Sequence, residues 1–589
     1  MIMPRTEKNN TFISHDGCNM VYQYFPAESS EHGSASTIPV VILFQGEKCC
    51  AGGSTDLIEA LNLPCCHFFS LDMSEILGFF AEKNTASMLS QVIYYFQQFI
   101  DHVKATYHVH EQDISIVSHG DRAVIVAAWL TDYAANIRAV VLSSPLFIFK
   151  KSDLLRTCVK SSYFGLFHRR GAKSTPECGV VESIYRNRQQ DNLLPIGCTT
   201  RRRMSDLLYT GQRIARNSFA YSTPTQLILS KEDRRYNMAS QLAFYANIDS
   251  TEKTLCMLPD RFYIGAGKDV ERNLLNKIRN FLVDRFAEPH IAPSLFDAHL
   301  TGVTYDEYEK LRLPESNVVK RLYWWANKLA LKHIGQYATA IKLGLKTGFD
   351  SGASLDCIYQ NQPSGRYFLG KIIDRYYLNN IGFHCTRIRK MHVEELMLLA
   401  VDALVRQQKN IKLLDTAAGH GRYILETVSK IKYPIAHILM RDFEPSNVLH
   451  GQALIRQNNL EGIATFEQGD AFSCVDLETL PEDRTLTIVS GFYELFSDNR
   501  LVQTSLEGIA KASEQDGYLI YTTKLWNPKL EYMARVLNSH KTGEYWRLRR
   551  RTQREIDQLV SGAGFVKVTQ RIDPWGMFSV TLAQKSLLN

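Results

Sequence analysis

The sequence predicts an α/β chain: two mainly parallel sheets with a helical segment between them. Three observations predict it. Ile411–Leu414 is a short apolar run that ends in Asp415, passes through the small-residue loop Thr416-Ala417-Ala418-Gly419-His420-Gly421 and opens an amphipathic helix near Arg422. Apolar strand-like runs at Pro39–Gln45, Ile114–Val117 and Ala139–Leu142 alternate with helical pattern such as Ala123–Trp129, the signature of a parallel sheet with crossover helices. Between two of those elements stands a tight turn, Ser118-His119-Gly120-Asp121-Arg122.

A chain of 589 residues predicts two or three domains, each able to bury an ordinary core. No apolar run approaches the length of about 18 residues that a membrane span needs. Met1–Asn10 carries no apolar signal core, so export is not expected and a cytoplasmic location is. The twelve cysteines include the adjacent pairs Cys49-Cys50 and Cys65-Cys66 but no CxxC spacing, so reduced thiols are expected and no metal site is. The net charge of +7 is mild. Its clusters, Arg201-Arg202-Arg203 and Arg549-Arg550-Arg551, read as solvated faces, with peripheral contact to an anionic membrane as the alternative. No nucleic-acid partner is expected.

In the N-terminal half the turn at 118–122 has the strand–turn–helix setting of a nucleophile elbow, Gly-x-Ser-x-Gly. In that frame Gly120 stands at the nucleophile and has no side chain to attack with. The run Thr225–Ser230 reads as a strand that leads to Asp233, which fits a triad acid. The later loop Leu258–Ile264 should bring a histidine, and Ile264 stands there. A serine hydrolase needs a base within reach of its nucleophile, and neither group is at its place. Ser118 with His119 is the alternative, displaced nucleophile.

In the C-terminal half the glycine spacing is not that of a dinucleotide fingerprint, because Ile424 falls where the third glycine belongs. Small residues still let the backbone approach a ligand closely. A second strand, Ala436–Met440, leads to Asp442, 21 residues after Gly421, where doubly wound folds place a ribose-binding carboxylate. Phe443 follows it. Further strands run through Thr465–Gln468 to Asp470 and Ala471, through Leu486–Ser490 to Gly491-Phe492-Tyr493-Glu494-Leu495-Phe496, and through Gly517–Thr522.

Residues 291–395 join the halves. Tyr305–Leu311 and Lys320–Leu343 read as helices, with Leu322, Trp325, Leu329 and Leu331 as a core-facing stripe. Gly348-Phe349-Asp350-Ser351-Gly352 breaks them. Asp350 and Asp356 are expected as helix caps, the alternative being that the segment walls or covers a ligand site.

Asp415-x-Ala417-x-Gly419-x-Gly421 resembles motif I of class I S-adenosylmethionine (SAM)-dependent methyltransferases. With Val140–Pro145, Thr347–Asp356, Ala417–Tyr423, Ser490–Phe496 and Arg549–Gln553, the whole chain resembles a bacterial family of fused proteins. These join an α/β-hydrolase of serine aminopeptidase or lysophospholipase type to a class I SAM-dependent methyltransferase. The resemblance implies an α/β-hydrolase-like domain over 1–290 that has lost its chemistry, a helical connecting or lid segment over 291–395, and a Rossmann-like methyltransferase domain over 396–589. It implies SAM as cofactor, held by Asp415, Ala417, Gly419, Gly421, Arg422, Tyr423, Asp442, Phe443, Asp470, Ala471 and Gly491. In that frame Asp415 orients the loop and the methionine amine, Asp442 takes the ribose hydroxyls and Asp470 takes the adenine amine. Tyr493 and Glu494 are expected on the side of the acceptor, a small molecule or lipid, with Glu494 as a candidate base. The competing readings are a SAM-binding or ligand-docking protein without turnover, and a bifunctional protein with an unorthodox hydrolase site.

Overall fold

The computed structural model describes residues 8–28, 38–44, 53–72, 88–147, 201–231, 237–259, 269–287, 290–540 and 544–586. Gln45, Gly46, Asp233, Ile264 and the side chains of Arg201, Arg202 and Arg203 lie outside the described residues. The chain divides into two compact units, Met1–Pro293 and Ser294–Asn589. The helical segment expected as a connector therefore belongs to the second unit.

The first unit is built on eight strands: β1 (Lys8–Ile13), β2 (Asn19–Phe25), β3 (Val40–Phe44), β4 (His67–Asp72), β5 (Ile114–His119), β6 (Ala139–Ser143), β7 (Thr225–Ser230) and β8 (Lys253–Leu258). They pair in the order β1-β2-β4-β3-β5-β6-β7-β8. β2 is antiparallel to both its neighbours, and β4 through β8 run parallel. The central strands β3, β5 and β6 are buried along their whole length. Helices cover both faces of such a sheet, which is why these strands read as unbroken apolar runs, not as alternation. The helix Asp121–Tyr133 starts directly after β5 and is buried from Ala123 to Tyr133. Arg213 grips Asp132 on that helix through two hydrogen bonds of 2.6 Å, both side chains buried.

The second unit carries β9 (Ile411–Asp415), β10 (Ile435–Asp442), β11 (Ala464–Gln468), β12 (Arg484–Val489), β13 (Ser513–Lys524), β14 (Phe565–Ile572) and β15 (Phe578–Lys585). Their order is β11-β10-β9-β12-β13-β15-β14, with β15 antiparallel to β13 and β14. A long helix, Ile381–Arg406, lays Val393, Leu396, Met397, Ala400 and Leu404 into the same core as Leu413 of β9, Ile438 of β10 and Ile488 of β12. The five helix residues, fully withdrawn from water, contribute on the order of 10 kcal/mol before the entropy of ordering them is counted.

Two expectations for this unit are corrected. The helix expected over 320–343 is two helices, Val318–Ile334 and Thr339–Thr347, separated by a short 3-10 turn at Gly335–Tyr337. Of its apolar stripe only Leu331 packs on the protein. Leu322, Trp325 and Leu329 face solvent, and the protein side is completed by Trp324, with Lys328 laid over Tyr545. Helical spacing fixes which residues share a face but not which face meets the protein.

The second correction concerns Arg549-Arg550-Arg551, expected as a solvated face. All three are buried. Arg549 Nη2 donates to Asn499 Oδ1 and Glu555 Oε1 at 2.6 and 2.5 Å, and its Nε donates to the Ser497 carbonyl. Arg551 donates to the Tyr493 and Phe496 carbonyls. Burial, followed by the neighbouring Arg549, pulls the Arg551 guanidinium down to about 10. Guanidinium groups survive in such a place because each N–H finds an acceptor. Glu555→Ala should therefore strand a buried cation and cost about 3–5 kcal/mol, read as a lower urea midpoint; a loss within about 0.5 kcal/mol, typical of surface changes, would mean that the cluster is solvated after all.

Candidate active site

In the order β10-β9-β12, the chain reverses direction of growth between β9 and β12, and the carboxyl ends of those strands open a crevice there, the position at which open α/β sheets bind ligands. The loop after β9 lies at this point. Gly419 and Gly421 both adopt left-handed φ, 59° and 71°. A Cβ on Gly421 would stand 2.6 Å from Met440 Sδ, so this glycine lets the loop close on β10. Gly419 is the more open of the two, with Gly352 Cα the neighbour that a Cβ would meet, at 3.7 Å.

Carboxylates at the strand ends hold the loop. Asp415, fully buried, accepts from Ala417 N at 3.1 Å and from the Tyr423 hydroxyl. Asp442, at the end of β10, accepts from Gly419 N at 2.8 Å, from Glu444 N at 3.0 Å and from Asn447 Nδ2 at 2.9 Å. Phe443 beside it is largely exposed. Asp470 Oδ1 accepts from Phe472 N, and Ala471 is buried beside it. Tyr423 was expected to touch cofactor; its ring is in the core and its hydroxyl braces Asp415. Burial, outweighing the Tyr423 and Ala417 hydrogen bonds, pushes the Asp415 carboxyl up to about 7.

Neither expected cap is a cap. Ser351 caps the helix Gly352–Gln360, accepting from Ser354 N. Asp350 instead accepts from Ser539 Oγ and His540 N. Asp356, one turn into the helix, clamps Arg422: Arg422 Nη2 donates to Oδ2 at 3.0 Å and Nε to Oδ1. His420 Nδ1 stands 3.7 Å from the same carboxylate, an ion-pair distance but too long for a hydrogen bond, and its ring stacks on His450 at 4.2 Å. Burial works against the Asp356 charge, yet the His420 and Arg422 side chains hold the carboxyl well below its usual range. The Gly352–Gln360 helix thus forms a wall of the loop.

Beyond the loop, Gly491 follows β12 with φ 75°, and its N–H donates to Thr522 Oγ1. A Cβ here would stand 2.6 Å from Arg389 Nη2, so the guanidinium lies flat against the backbone. Arg389 Nη1 donates to Glu494 Oε1 at 3.0 Å and its Nη2 to the Tyr359 hydroxyl at 3.3 Å, all with the charges buried. Glu494 Oε2 and Arg389 Nε are buried without a partner. Lys524, at the end of β13, lies 4.7 Å over the Phe578 ring; burial brings its ammonium down to about 8, with Glu494 acting in the opposite sense. Tyr493, expected on the acceptor side, is core instead: its hydroxyl donates to Ser505 Oγ at 3.0 Å and its ring joins Val489 and Leu506. Asp356 closes the Thr347–Asp356 run, where it reads as a cap and not as the partner of Arg422. Tyr359, Arg389 and Lys524 carried no motif, and for these the sequence signal was the polar end of an otherwise apolar strand at Lys524.

In the first unit Gly120 keeps the elbow conformation, φ 64° and ψ −121° at the head of the Asp121–Tyr133 helix. A Cβ there would meet nothing within 4 Å. Ser118 is buried and its Oγ donates to the Phe44 carbonyl at 3.0 Å; His119 Nδ1 pairs with Ser143 Oγ at 2.9 Å. Both side chains of the displaced pair suggested by the sequence are thus engaged with neighbouring strands, Ser118 with β3 and His119 with β6.

The raised Asp415 gives a signed pH dependence. From 3.8 to about 7 the unfolded chain has ionised this group and the folded one has not, so stability falls as pH rises through that window and is level above it. The term reaches about 4 kcal/mol at most. Asp415→Asn should remove it. The stability of the parent relative to the variant should fall between pH 4 and 7.5 in chemical denaturation; a constant difference would mean that Asp415 ionises normally.

Residues 278–585 match a family described as "Putative methyltransferase", and residues 39–262 match one described as "Serine aminopeptidase, S33". A protein of Escherichia coli (strain K12) named "Uncharacterized protein YnbC" is 34% identical over 592 residues, covering 97% of this chain and 97% of that one. Among solved structures, a soluble variant of monoglyceride lipase from Saccharomyces cerevisiae, in complex with a substrate analog, shares 14% identity over 48% of this chain and 98% of its own, with a TM-score of 0.34. A SAM-dependent methyltransferase from Methanosarcina mazei shares 18% over 30% of this chain and 93% of its own, with a TM-score of 0.25. The chain, with a methyltransferase-like sheet in its C-terminal unit and an α/β-hydrolase sheet in its N-terminal one, belongs to the family that the first match describes as "Putative methyltransferase".

Proposed function

We propose that the second unit transfers a methyl group from SAM to a small-molecule or lipid acceptor, and that the first unit is a hydrolase fold without hydrolase chemistry, kept as scaffold or for substrate recruitment. The observation that carries this reading is the juxtaposition at one crevice of a bare glycine loop held by Asp415 and Asp442 with a buried Glu494 whose Oε2 is uncommitted. The residues present fit SAM. Gly419 keeps the loop open to close approach. Thr416 Oγ1 and His420 Nδ1 are buried beside it without hydrogen-bond partners, as polar atoms waiting for a ligand are. Asp442 and Asp470 stand at successive strand ends where ribose hydroxyls and an adenine amine need acceptors.

When bound, SAM supplies an electrophilic methyl group on a sulfonium. The protein's own part is placement and proton management. After its three protein hydrogen bonds, two on Oδ1 and one on Oδ2, Asp442 keeps one acceptor site, on Oδ2, for a ribose hydroxyl. Arg389 fixes Glu494 through Oε1 and leaves Oε2 to accept a hydrogen bond, or a proton, from an acceptor X–H. Lys524, with its pKa about 8, supplies a positive charge that can be withdrawn near neutral pH. Holding donor and acceptor in line provides much of the rate by itself.

Calorimetry should detect SAM binding to the full chain, and Asp442→Ala should weaken it by about 1–3 kcal/mol, roughly 5- to 150-fold, because hydroxyls lose their acceptor. Absence of binding by the parent at high SAM sinks the reading. Labelled SAM should mark a component of a lysate with the parent and not with Glu494→Gln, whose SAM affinity should be unchanged. A serine-directed fluorophosphonate should leave the parent unlabelled; an adduct on any serine of the first unit would restore hydrolase chemistry to it.

A further inference from the structure

The Val318–Ile334 helix is amphipathic with its faces reversed. Its inward positions, Trp324, Lys328 and Leu331, recur at helical spacing against Tyr532 and Tyr545. Its outward stripe is Val318, Leu322, Trp325 and Leu329, with Leu322 62% and Trp325 58% exposed. No residue of this helix is buried. A second apolar edge adjoins its end. Arg366 N donates to the Tyr337 carbonyl at 2.8 Å, and Gly370 approaches that carbonyl so closely that a Cβ would stand 2.2 Å from it. This docks the start of the Tyr367–Leu378 helix there, with Tyr367 73%, Phe368 81% and Leu369 60% exposed. Scattered apolar side chains are ordinary on a protein surface; two adjoining helices that both turn aromatic and aliphatic residues outward are not.

The charge around this face is mainly positive. From Ser316 to Phe349 the chain has six Lys or Arg and no acid. The acids between Ser316 and Arg375 are Asp350, Asp356 and Asp374, all buried. Lys320, Arg321 and Lys332 on the first helix and Arg366, Lys371 and Arg375 on the second are exposed. Glu531, from outside the segment, stands 4.0 Å from Lys320. Glu315, just ahead of the first helix, accepts from Asn317 N and also reaches solvent, so the exposed cations outnumber the acids six to two. Apolar and aromatic side chains outward with an excess of cations along the flanks are what an in-plane helix needs at an anionic lipid surface. Tyr and Trp suit the headgroup level because one end of each is apolar and the other polar. A nucleic acid would use the cations but leave the outward Leu322, Leu329 and Leu369 in water.

We propose that the Val318–Ile334 helix and the start of the Tyr367–Leu378 helix form a docking face for an anionic phospholipid bilayer. This does not depend on methyl transfer. Of the basic clusters first suspected of such a role, Arg549–Arg551 does not form it: these three residues are buried, whereas these helices are exposed.

Co-sedimentation of the full chain with vesicles tests it. The parent should bind phosphatidylcholine–phosphatidylglycerol vesicles at least about tenfold more tightly than phosphatidylcholine alone, and added salt should weaken the binding. Leu322→Ser with Trp325→Ser should lose about tenfold or more. Arg321→Glu with Lys332→Glu should abolish the preference for anionic vesicles. All four positions are exposed, so unfolding midpoints should stay at the parent's. The proposal is overturned if the parent sediments with neither vesicle, or if the apolar variant binds as well as the parent. It is equally overturned if the face instead drives self-association, seen as a dimer in size exclusion that Trp325→Ser dissociates while vesicle binding is absent, or if the charge-reversed pair alters only retention on duplex DNA.

Discussion

The second unit depends on one constraint: a loop made of small residues cannot hold itself, so carboxylates hold it. Asp415 takes the Ala417 N–H, Asp442 takes the Gly419 N–H and Asp356 takes the Arg422 guanidinium. Gly421 lets the loop close on β10 and Gly419 leaves its surface open, and the same absence of side chains raises the entropy that ordering it must overcome. Three acids from three elements offset that cost. Two lie at the ends of adjacent parallel strands, where the sheet itself sets their spacing. The third comes from the helix Gly352–Gln360, so the segment ahead of the sheet belongs to the site as one of its walls.

The unit contains two buried clusters of arginine and glutamate, and they differ in how completely they are satisfied. Arg549 spends its donors on Asn499, Glu555, Thr304 and the Ser497 and Ala298 carbonyls. Such a cluster fixes the path of the chain and offers a ligand nothing. Arg389 and Glu494 are equally buried, yet each keeps an uncommitted polar atom, and Lys524 lies close enough to feel the Glu494 charge. A buried polar atom without a partner costs about 1–3 kcal/mol. A structure that carries several of them at the carboxyl ends of β12 and β13 gains from whatever fills the crevice, and this separates the cluster at Gly491 from the one at Arg549.

The first unit keeps the backbone of a nucleophile elbow with a glycine at its tip. The elbow survives in detail: left-handed backbone at Gly120, an N–H bonded to the Ser143 carbonyl, a buried helix behind it and room for a side chain that is not there. The neighbouring Ser118 and His119 face the sheet, because an elbow turns one side chain outward and its neighbours inward. A sheet of eight strands is stabilised by the burial of β3, β5 and β6, and none of that requires a nucleophile.

By itself the sequence determined what is local. Strands β5 and β9, the turns that follow them, the glycine at the elbow and the acid at the end of β10 all lie within one strand–loop–helix step, where apolar period and turn chemistry decide the backbone. Tertiary structure decided everything that needs a partner distant in the chain or a choice of face. Arg422 finds Asp356 across 66 residues and Arg389 finds Glu494 across 105, separations that leave no mark on either neighbourhood. Tyr493 and Tyr423 sit in recognisable motifs, yet only packing shows that their hydroxyls point at Ser505 and Asp415. The run Arg549–Arg551 and the stripe Leu322–Leu329 were misread for one physical reason: composition and period describe a helix or strand relative to its own axis, and the side on which the protein lies is set by what packs against it.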